Sequence, residues 1–305
     1  MVESRNRTVE LSIIIVNYNG KNYLSRCLKS IYQFPPSQKF EIIVVDNNSN
    51  DSSQKMVRKS FPEVKLICNK ENLGFTRANN KGIQLSQGKF ILFLNNDTRI
   101  LAHSLDILLH EIKKRPEIGV IAPALLNEDY SYQLSYGLRP NLKNEFWQKY
   151  FANLFFKSII KKKGDNWEKE VDWVSGACFL TTRDILDKVN LLDERFFLYF
   201  DDPDLCTQIK KLGKKIFYFP KAKIFHYLGK SRDVVPQKHA LEYRKSQLYF
   251  YQKHCAKIEF NLLKFYLVIK FGLLFLLSKI FPFFGKAKIA SEIYLKILQV
   301  VTEKK

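Results

Sequence analysis

The chain has 305 residues, 46% hydrophobic and 26% charged, an ordinary globular composition with enough length for one large domain or two fused halves. Its net charge of +20 is not ordinary, because residues 208–305 hold 21 Lys and Arg against 5 acids while the rest is near neutral. A basic terminal third points to an anionic surface, nucleic acid or lipid headgroups. Five widely spaced cysteines without a Cys-x-x-Cys pair argue against a disulfide framework or a zinc site and for a reducing compartment.

After the polar start Met1–Glu10, the run Leu11–Val16 is too short for the apolar core of a signal peptide and reads as a strand. A helix near Tyr23–Tyr32 stops at Pro35-Pro36. Strand Glu41–Val45 follows, then a helix from about Ser52, with Asn50–Ser53 offering capping groups. Strand Val64–Cys68, helix Phe75–Leu85 and strand Phe90–Leu94 complete a βαβα rhythm. Unbroken Ile/Val/Leu/Phe strands in that rhythm predict an α/β fold with a mostly parallel sheet covered on both faces. Leu105–Ile112 reads as helix and Gly119–Ala122 as another buried strand. Residues 127–170, with the basic run Lys161–Lys163, have no clear period and read as a long excursion over the active face. Order returns with a mixed strand over Val171–Thr182, a helix from Asp184, a helix from about Pro203 to Leu212 and a last strand, Ile216–Phe219.

From Leu241 the pattern changes. Phe260–Phe284 is strongly apolar but broken by Lys264, Lys270 and Lys279. A lysine at the centre of a span costs roughly 2.5–3.5 kcal/mol. A helix lying in the membrane plane avoids that cost by directing its lysines to headgroups, so 241–305 reads as a basic, membrane-associating helical tail on a domain of residues 1–240. The coupling of charge to apolar aromatics favours lipid over nucleic acid. The expected place is the cytoplasmic face of the cell membrane, bound peripherally, with a single span as the alternative.

Ligands of open α/β sheets sit beyond the carboxyl ends of the strands. Four groups of residues stand there. Tyr18 follows the first strand and can stack on a base, and Asp46 ends the second and can accept from a base or ribose. Asn95, Asn96 and Asp97 end the strand Phe90–Leu94, where they suit a ligand or metal or, equally, a capping turn. Asp201, Asp202 and Asp204 follow the aromatic run Phe196–Phe200; two adjacent acids there suit a general base, and Asp204 suits the helix start. His226, after the last strand, makes a metal pair with Asp97 plausible chemistry for Mn²⁺ or Mg²⁺. There is neither a Gly-x-Gly-x-x-Gly after the first strand nor a Gly-x-x-x-x-Gly-Lys-Ser/Thr, which disfavours dinucleotide and P-loop chemistry.

The segments Ser12-Ile-Ile-Ile-Val-Asn-Tyr-Asn19, Val45-Asp-Asn-Asn-Ser49, Asn72-Leu-Gly-Phe75, Leu94-Asn-Asn-Asp97 and Phe200-Asp-Asp-Pro-Asp-Leu-Cys206 occur in the order seen in family 2 glycosyltransferases. The chain resembles their bacterial rhamnosyltransferase-like branch over about residues 10–230. The resemblance implies a GT-A fold, with a nucleotide-binding half (about 10–100) and an acceptor-binding half (about 101–240). It implies inverting transfer from a nucleoside-diphosphate sugar, dTDP-rhamnose or a UDP-sugar, to a saccharide or polyprenyl-linked acceptor, with Mg²⁺ or Mn²⁺ bound. Tyr18 and Asp46 would then hold the nucleoside, Asn95 and Asn96 the donor, Asp97 and His226 the metal, Asp202 with Asp201 the base role, and Trp173 and Gly176 the acceptor site. Asn95 stands where the family's Asp-x-Asp element has its first aspartate, and Asp201 where a glutamate is usual. A nucleotidyltransferase on a related sheet, which would release pyrophosphate, and a nucleic-acid-binding protein are the alternatives.

Overall fold

The structure, a computed structural model, describes residues 9–147, 167–227, 236–280 and 287–303. Strands β1 (Leu11–Asn17), β2 (Phe40–Asp46), β3 (Lys65–Cys68) and β4 (Phe90–Asn95) run parallel in the order β3-β2-β1-β4. The apolar runs of β1, β2 and β4 are dry because helices cover both faces, whereas the edge strand β3 is half-exposed. Ile13 and Ile15 of β1 pack against Leu24, Cys27, Leu28 and Ile31 of α1 (Lys21–Gln33) and the core of α4 (Ser104–Lys114). Ile14, Ile91 and Phe93 point the other way, toward Ile83 of α3 (Phe75–Leu85). The short helix α2 (Ser53–Ser60) joins β2 to β3. Its first donors are served by Asp51, whose Oδ1 accepts from the Ser53 N–H at 2.9 Å, rather than by Ser52, which sits in the left-handed region at φ 66°.

The second half continues the same sheet with mixed direction. Strand β10 (Cys178–Thr182) is antiparallel between β4 and β6 (Ile118–Leu126), and β11 (Lys215–His226) runs parallel to β6. β5 (Thr98–Ile100) and β8 (Lys169–Val171) add antiparallel pairs to β11, completing nine strands. The single mixed strand expected over Val171–Thr182 is three pieces, because β9 (Trp173–Val174) leaves the sheet to pair with β7 (Tyr136–Gly137). The final strand runs to His226, well beyond Phe219, with a register shift between Phe219 and Lys223. The excursion 127–170 contains β7, α5 (Leu142–Trp147) and the start of β8; Lys161–Lys163 lie outside the described residues. Helices α6 (Arg183–Lys188, capped by Thr182) and α7 (Asp201–Lys211) follow. Cys27, Cys178 and Cys206 are buried free thiols, and burial pushes the first and last up to about 12.

Three helices end the chain: α8 (Pro236–His254), α9 (Lys257–Ile280) and α10 (Ala287–Thr302). They share a separate core of Leu248, Phe250, Tyr251, Leu263, Leu267, Phe271, Ile297 and Val301 that also takes in Phe196 and Phe200, just before α7. The boundary expected at 240/241 therefore falls inside α8. On α9, Leu263, Leu267 and Phe271 face this core. Ile258, Leu262, Phe265, Ile269, Leu273 and Leu276 are exposed.

Two glycines of contrasting surroundings test the packing. A Cβ on Gly82 of α3 would meet Ile14 Cγ2 at 2.6 Å, whereas one on Gly272 of α9 would meet nothing within 4 Å. Gly82→Ala should destabilise by about 1–3 kcal/mol through overpacking. Gly272→Ala should stabilise by up to about 1 kcal/mol through helix propensity. Denaturant unfolding of both variants checks the pair.

Candidate active site at the strand ends

The register of the sheet lays the nucleoside candidates side by side. Asn17 at the end of β1 is paired with Asp46 at the end of β2. Asp46 is only 1% exposed, and a buried carboxylate needs partners. It has three: Asn17 Nδ2 donates to Oδ2 at 2.8 Å, while the Ser49 N–H and Gln54 Nε2 donate to Oδ1, each at 2.8 Å. Asn17 Oδ1 in turn accepts from Asn96 Nδ2 at 2.7 Å. Asn96 is thus bound into the floor of the site, and a Cβ on Gly20 would lie 2.9 Å from Asn17 Oδ1. Tyr18, 36% exposed, stands beside this network with its ring open to solvent.

At the end of β4, Asp97 is 3% exposed. Its carbonyl accepts from the Tyr227 N–H at 2.8 Å, and the antiparallel β5–β11 pairing sets His226 opposite Thr98. His226 Nε2 consequently lies 3.4 Å from Asp97 Oδ1. Gln133 fixes the ring. Its Nε2 donates to the His226 carbonyl at 2.6 Å and to Asn127 Oδ1 at 2.8 Å, which orients the amide, and its Oε1 faces His226 Nδ1 at 3.0 Å. That network assigns the imidazole proton to Nδ1. Nε2 is left presenting a lone pair toward a carboxylate, a contact that a second proton or a cation between the two satisfies. One carboxylate and one imidazole so arranged fit a divalent ion that takes its other ligands from a diphosphate and water. Among the described residues no cluster of three or more His, Cys, Asp or Glu could hold a metal.

The acid pair reaches the same sheet edge from the other side. The Asn95 N–H donates to the Ala177 carbonyl at 2.9 Å, so Gly176 lies next to the end of β4. The Gly176 N–H donates to Asp202 Oδ2 at 2.8 Å, and a Cβ on Gly176 would collide with that carboxylate. The close approach that Gly176 permits is therefore that of Asp202. Burial raises the Asp202 carboxyl to about 6, against the Gly176 hydrogen bond that favours its charged form. Asp201 is pushed well above the usual carboxylate range, by burial first and then by the charge of Asp202. Burial and the neighbouring charge thus disfavour a negative charge on Asp201, while the Gly176 hydrogen bond favours one on Asp202.

The turn that delivers the pair is strained. Tyr199 and Phe200 stand consecutively in the left-handed region at φ 68° and 60°, each at a cost of about 1–3 kcal/mol. On one side the turn is tied to α3: the Phe75 N–H donates to the Phe197 carbonyl at 2.9 Å and Thr76 Oγ1 to the Phe196 carbonyl at 2.6 Å. Asp204 is structural, accepting from Lys253 Nζ at 2.7 Å and paired with His254 Nε2 at 2.6 Å. Trp173 is half-buried; its Nε1–H donates to the Leu138 carbonyl at 2.9 Å and its ring covers Gly137, so its indole is part of the packing around β7 and β9. Sequence reasoning missed Gln133, Gln54 and His254. Each acts on a partner far away in the chain or through an amide, and no local motif marks such residues.

A family-wide sequence model described as Glycosyl transferase family 2 matches residues 12–189. Among curated proteins the chain is similar to the N-acetylglucosaminyl-diphospho-decaprenol L-rhamnosyltransferase of Mycobacterium tuberculosis, 26% identical over 79% of this chain and 83% of that one. It is also similar to the low-salt glycan biosynthesis hexosyltransferase Agl10 of Haloferax volcanii, 25% identical over 66% of this chain and 62% of that one. In fold it is similar to the mannosyltransferase PcManGT from Pyrobaculum calidifontis, solved with GDP-Man and Mn²⁺, at a TM-score of 0.54 and 15% identity over 97% of this chain and 86% of that one. It is likewise similar to GalNAc-T7, solved with UDP, GalNAc and Mn²⁺, at a TM-score of 0.57 and 17% identity over 81% of this chain and 50% of that one. With the sheet carrying its carboxylates at one edge and more than half the chain matched, the protein has the GT-A fold and belongs to glycosyltransferase family 2.

Proposed function

We propose that the enzyme is an inverting glycosyltransferase that moves a sugar from a nucleoside diphosphate to a saccharide or polyprenyl-linked acceptor in the building of a surface polysaccharide. Likeness to the mycobacterial relative favours a rhamnosyl group. The observation that carries the reading is Asp202, a half-buried carboxylate held by the Gly176 N–H at the same sheet edge as Asp97 and His226. In this reading Asp202 takes the proton of the acceptor hydroxyl as that oxygen attacks the anomeric carbon from the face opposite the diphosphate. The new C–O bond forms as the bond to the diphosphate breaks, so the configuration inverts. The upward push on Asp201 disfavours a second negative charge beside the incoming hydroxyl. Tyr18 covers the base, and Asp46 accepts from the nucleoside in place of Gln54 Nε2. Asn95 lines the donor, and Asn96 acts by holding Asn17. Asp97 and His226 would hold Mg²⁺ or Mn²⁺, which when bound would supply positive charge beside the diphosphate. Trp173 backs the acceptor side.

The exposed apolar face of α9, flanked by Lys264, Lys270 and Lys279, supports docking on an anionic membrane surface from the cytoplasmic side. α9 is long and apolar enough to cross a membrane. Leu263, Leu267 and Phe271 instead seat it against α8 and α10, which favours a helix lying in the plane.

Asp202→Asn should lower turnover by about 10²–10⁴-fold with little change in donor affinity, since it removes proton acceptance and almost no volume. In the wild type, turnover should fall as pH drops through about 6, because protonation of the carboxyl that burial has raised removes the base. Nucleoside-diphosphate release measured against pH checks both. Pyrophosphate release would favour the nucleotidyltransferase reading, and normal turnover by Asp202→Asn with a dead Asp201→Asn would move the base by one residue.

Donor affinity, measured calorimetrically, should rise on addition of Mn²⁺ or Mg²⁺ and drop in Asp97→Ala and His226→Ala. Equal affinity in chelator would refute the metal role.

Phe265→Glu, Leu273→Glu and Leu276→Glu together should release the protein from anionic liposomes in a flotation assay. Each basic residue near the surface contributes roughly 1 kcal/mol that salt screens. Apolar insertion is not screened, so high salt should loosen the wild type only in part.

A further inference from the structure

Helix α8 carries a stripe, His239, Tyr243, Ser246, Phe250 and His254, spaced as one face of an α-helix, and every member touches the segment that presents the acid pair. Ser246 Oγ donates to the Leu198 carbonyl at 2.8 Å, and Tyr199 Oη lies 3.0 Å from His239 Nδ1. The Tyr243 ring meets Tyr199 at 5.6 Å and Phe200 at 5.2 Å between centroids, and the Phe250 ring meets Phe200 at 5.5 Å. One turn on, the fully buried His254 places Nε2 at 2.6 Å from Asp204 Oδ1, and Asp204 shares the first turn of α7 with Asp202. Among the described residues His254 Nδ1 has no partner, so the ring's proton sits on Nε2 and is given to Asp204. Arg139 Nη2 donates to the His254 carbonyl and closes the end of the helix.

We propose that α8 is the positioning element of the catalytic base. This rests on the reading of Asp202 as that base. Two consecutive left-handed aromatic residues persist only where their surroundings over-determine them; α3 holds the chain at Phe196 and Phe197, and α8 holds it from Leu198 to Phe200. Ser246 fixes the carbonyl before the turn, Tyr243 and Phe250 wall in its two rings, and His254 with Lys253 pins the helix turn after it. Freed of these contacts, Tyr199 and Phe200 relax to right-handed or extended backbone, and Asp202 swings off the Gly176 N–H. Misplacement of a reacting group by about 1 Å costs on the order of 10²-fold in rate. The sheet and α3 do not hold the base alone; the C-terminal module completes the hold.

The test uses the full-length enzyme with Ser246→Ala, His254→Leu and His254→Gln, each also made on the Asp202→Asn background. Ser246→Ala and His254→Leu should lower kcat about 10-fold or more, with donor KM within about twofold of wild type. His254→Gln, which keeps an N–H for Asp204, should recover most of the rate. On the Asp202→Asn background the same substitutions should have no further effect, because they act through the carboxylate already removed. Wild-type kcat in Ser246→Ala and His254→Leu would overturn the proposal, as would parallel loss of kcat and donor affinity, or effects that simply multiply with Asp202→Asn. Were Asp202→Asn itself fully active, the base reading would fail instead.

Discussion

Strand β10 is the wedge on which the site depends. It runs antiparallel between two strands that would otherwise be parallel neighbours, with Cys178 paired to Leu94 of β4. That one pairing puts Ala177 against Asn95 and Gly176 one step further out, at the edge where β4 releases Asn95, Asn96 and Asp97. Strands lie about 4.8 Å apart. A carboxylate held by Gly176 is therefore about one strand spacing from the end of β4. Asp202 and the end of β4 are brought together by backbone hydrogen bonds, and side chains refine what the register has placed.

The charges at this edge are managed in different ways. Asp46 is satisfied by amides and a backbone N–H without any counter-charge. Asp97 faces a histidine ring whose tautomer a glutamine dictates. Asp193 is held well below the usual carboxylate range because hydrogen bonds from Arg195, Lys253 and Tyr249 outweigh the upward push of its burial. Asp201 and Asp202 instead share burial, which raises both carboxyls, and the charge of Asp202 raises Asp201 further. The first turn of α7, with its unpaired N–H groups, tolerates three acids that a helix interior would not.

Strands β1, β2 and β4 were legible in the chain because a strand buried on both faces is written as a continuous apolar run and nothing else. Asp46 and Asp97 stood out for the related reason that polar residues ending such runs are conspicuous, and Asp202 because it follows an aromatic run. The residues between β6 and α6 were not: β7, β8 and β9 are two or three residues long and take their form from distant partners, such as Trp173 reaching the Leu138 carbonyl. The same limit hid Gln133, whose function exists only once β6 and β11 lie side by side. It also hid α8. Its stripe of aromatic, serine and histidine residues is amphipathic toward one turn of the protein rather than toward a sheet, and the basic composition around it reads as tail.

Only Cys255 and Ala256 separate α8 from α9. That short joint divides two kinds of inheritance. Upstream of it, residues must remain matched to the turn at Tyr199 and Phe200, so α8 can change only in step with the loop it clamps. Downstream, α9 and α10 need only keep Leu263, Leu267, Phe271, Ile297 and Val301 inward, and their outer faces are free to diverge with whatever surface they meet. A chimera that exchanges anchors between enzymes of this kind would be cut at the joint, with α8 travelling with the catalytic domain.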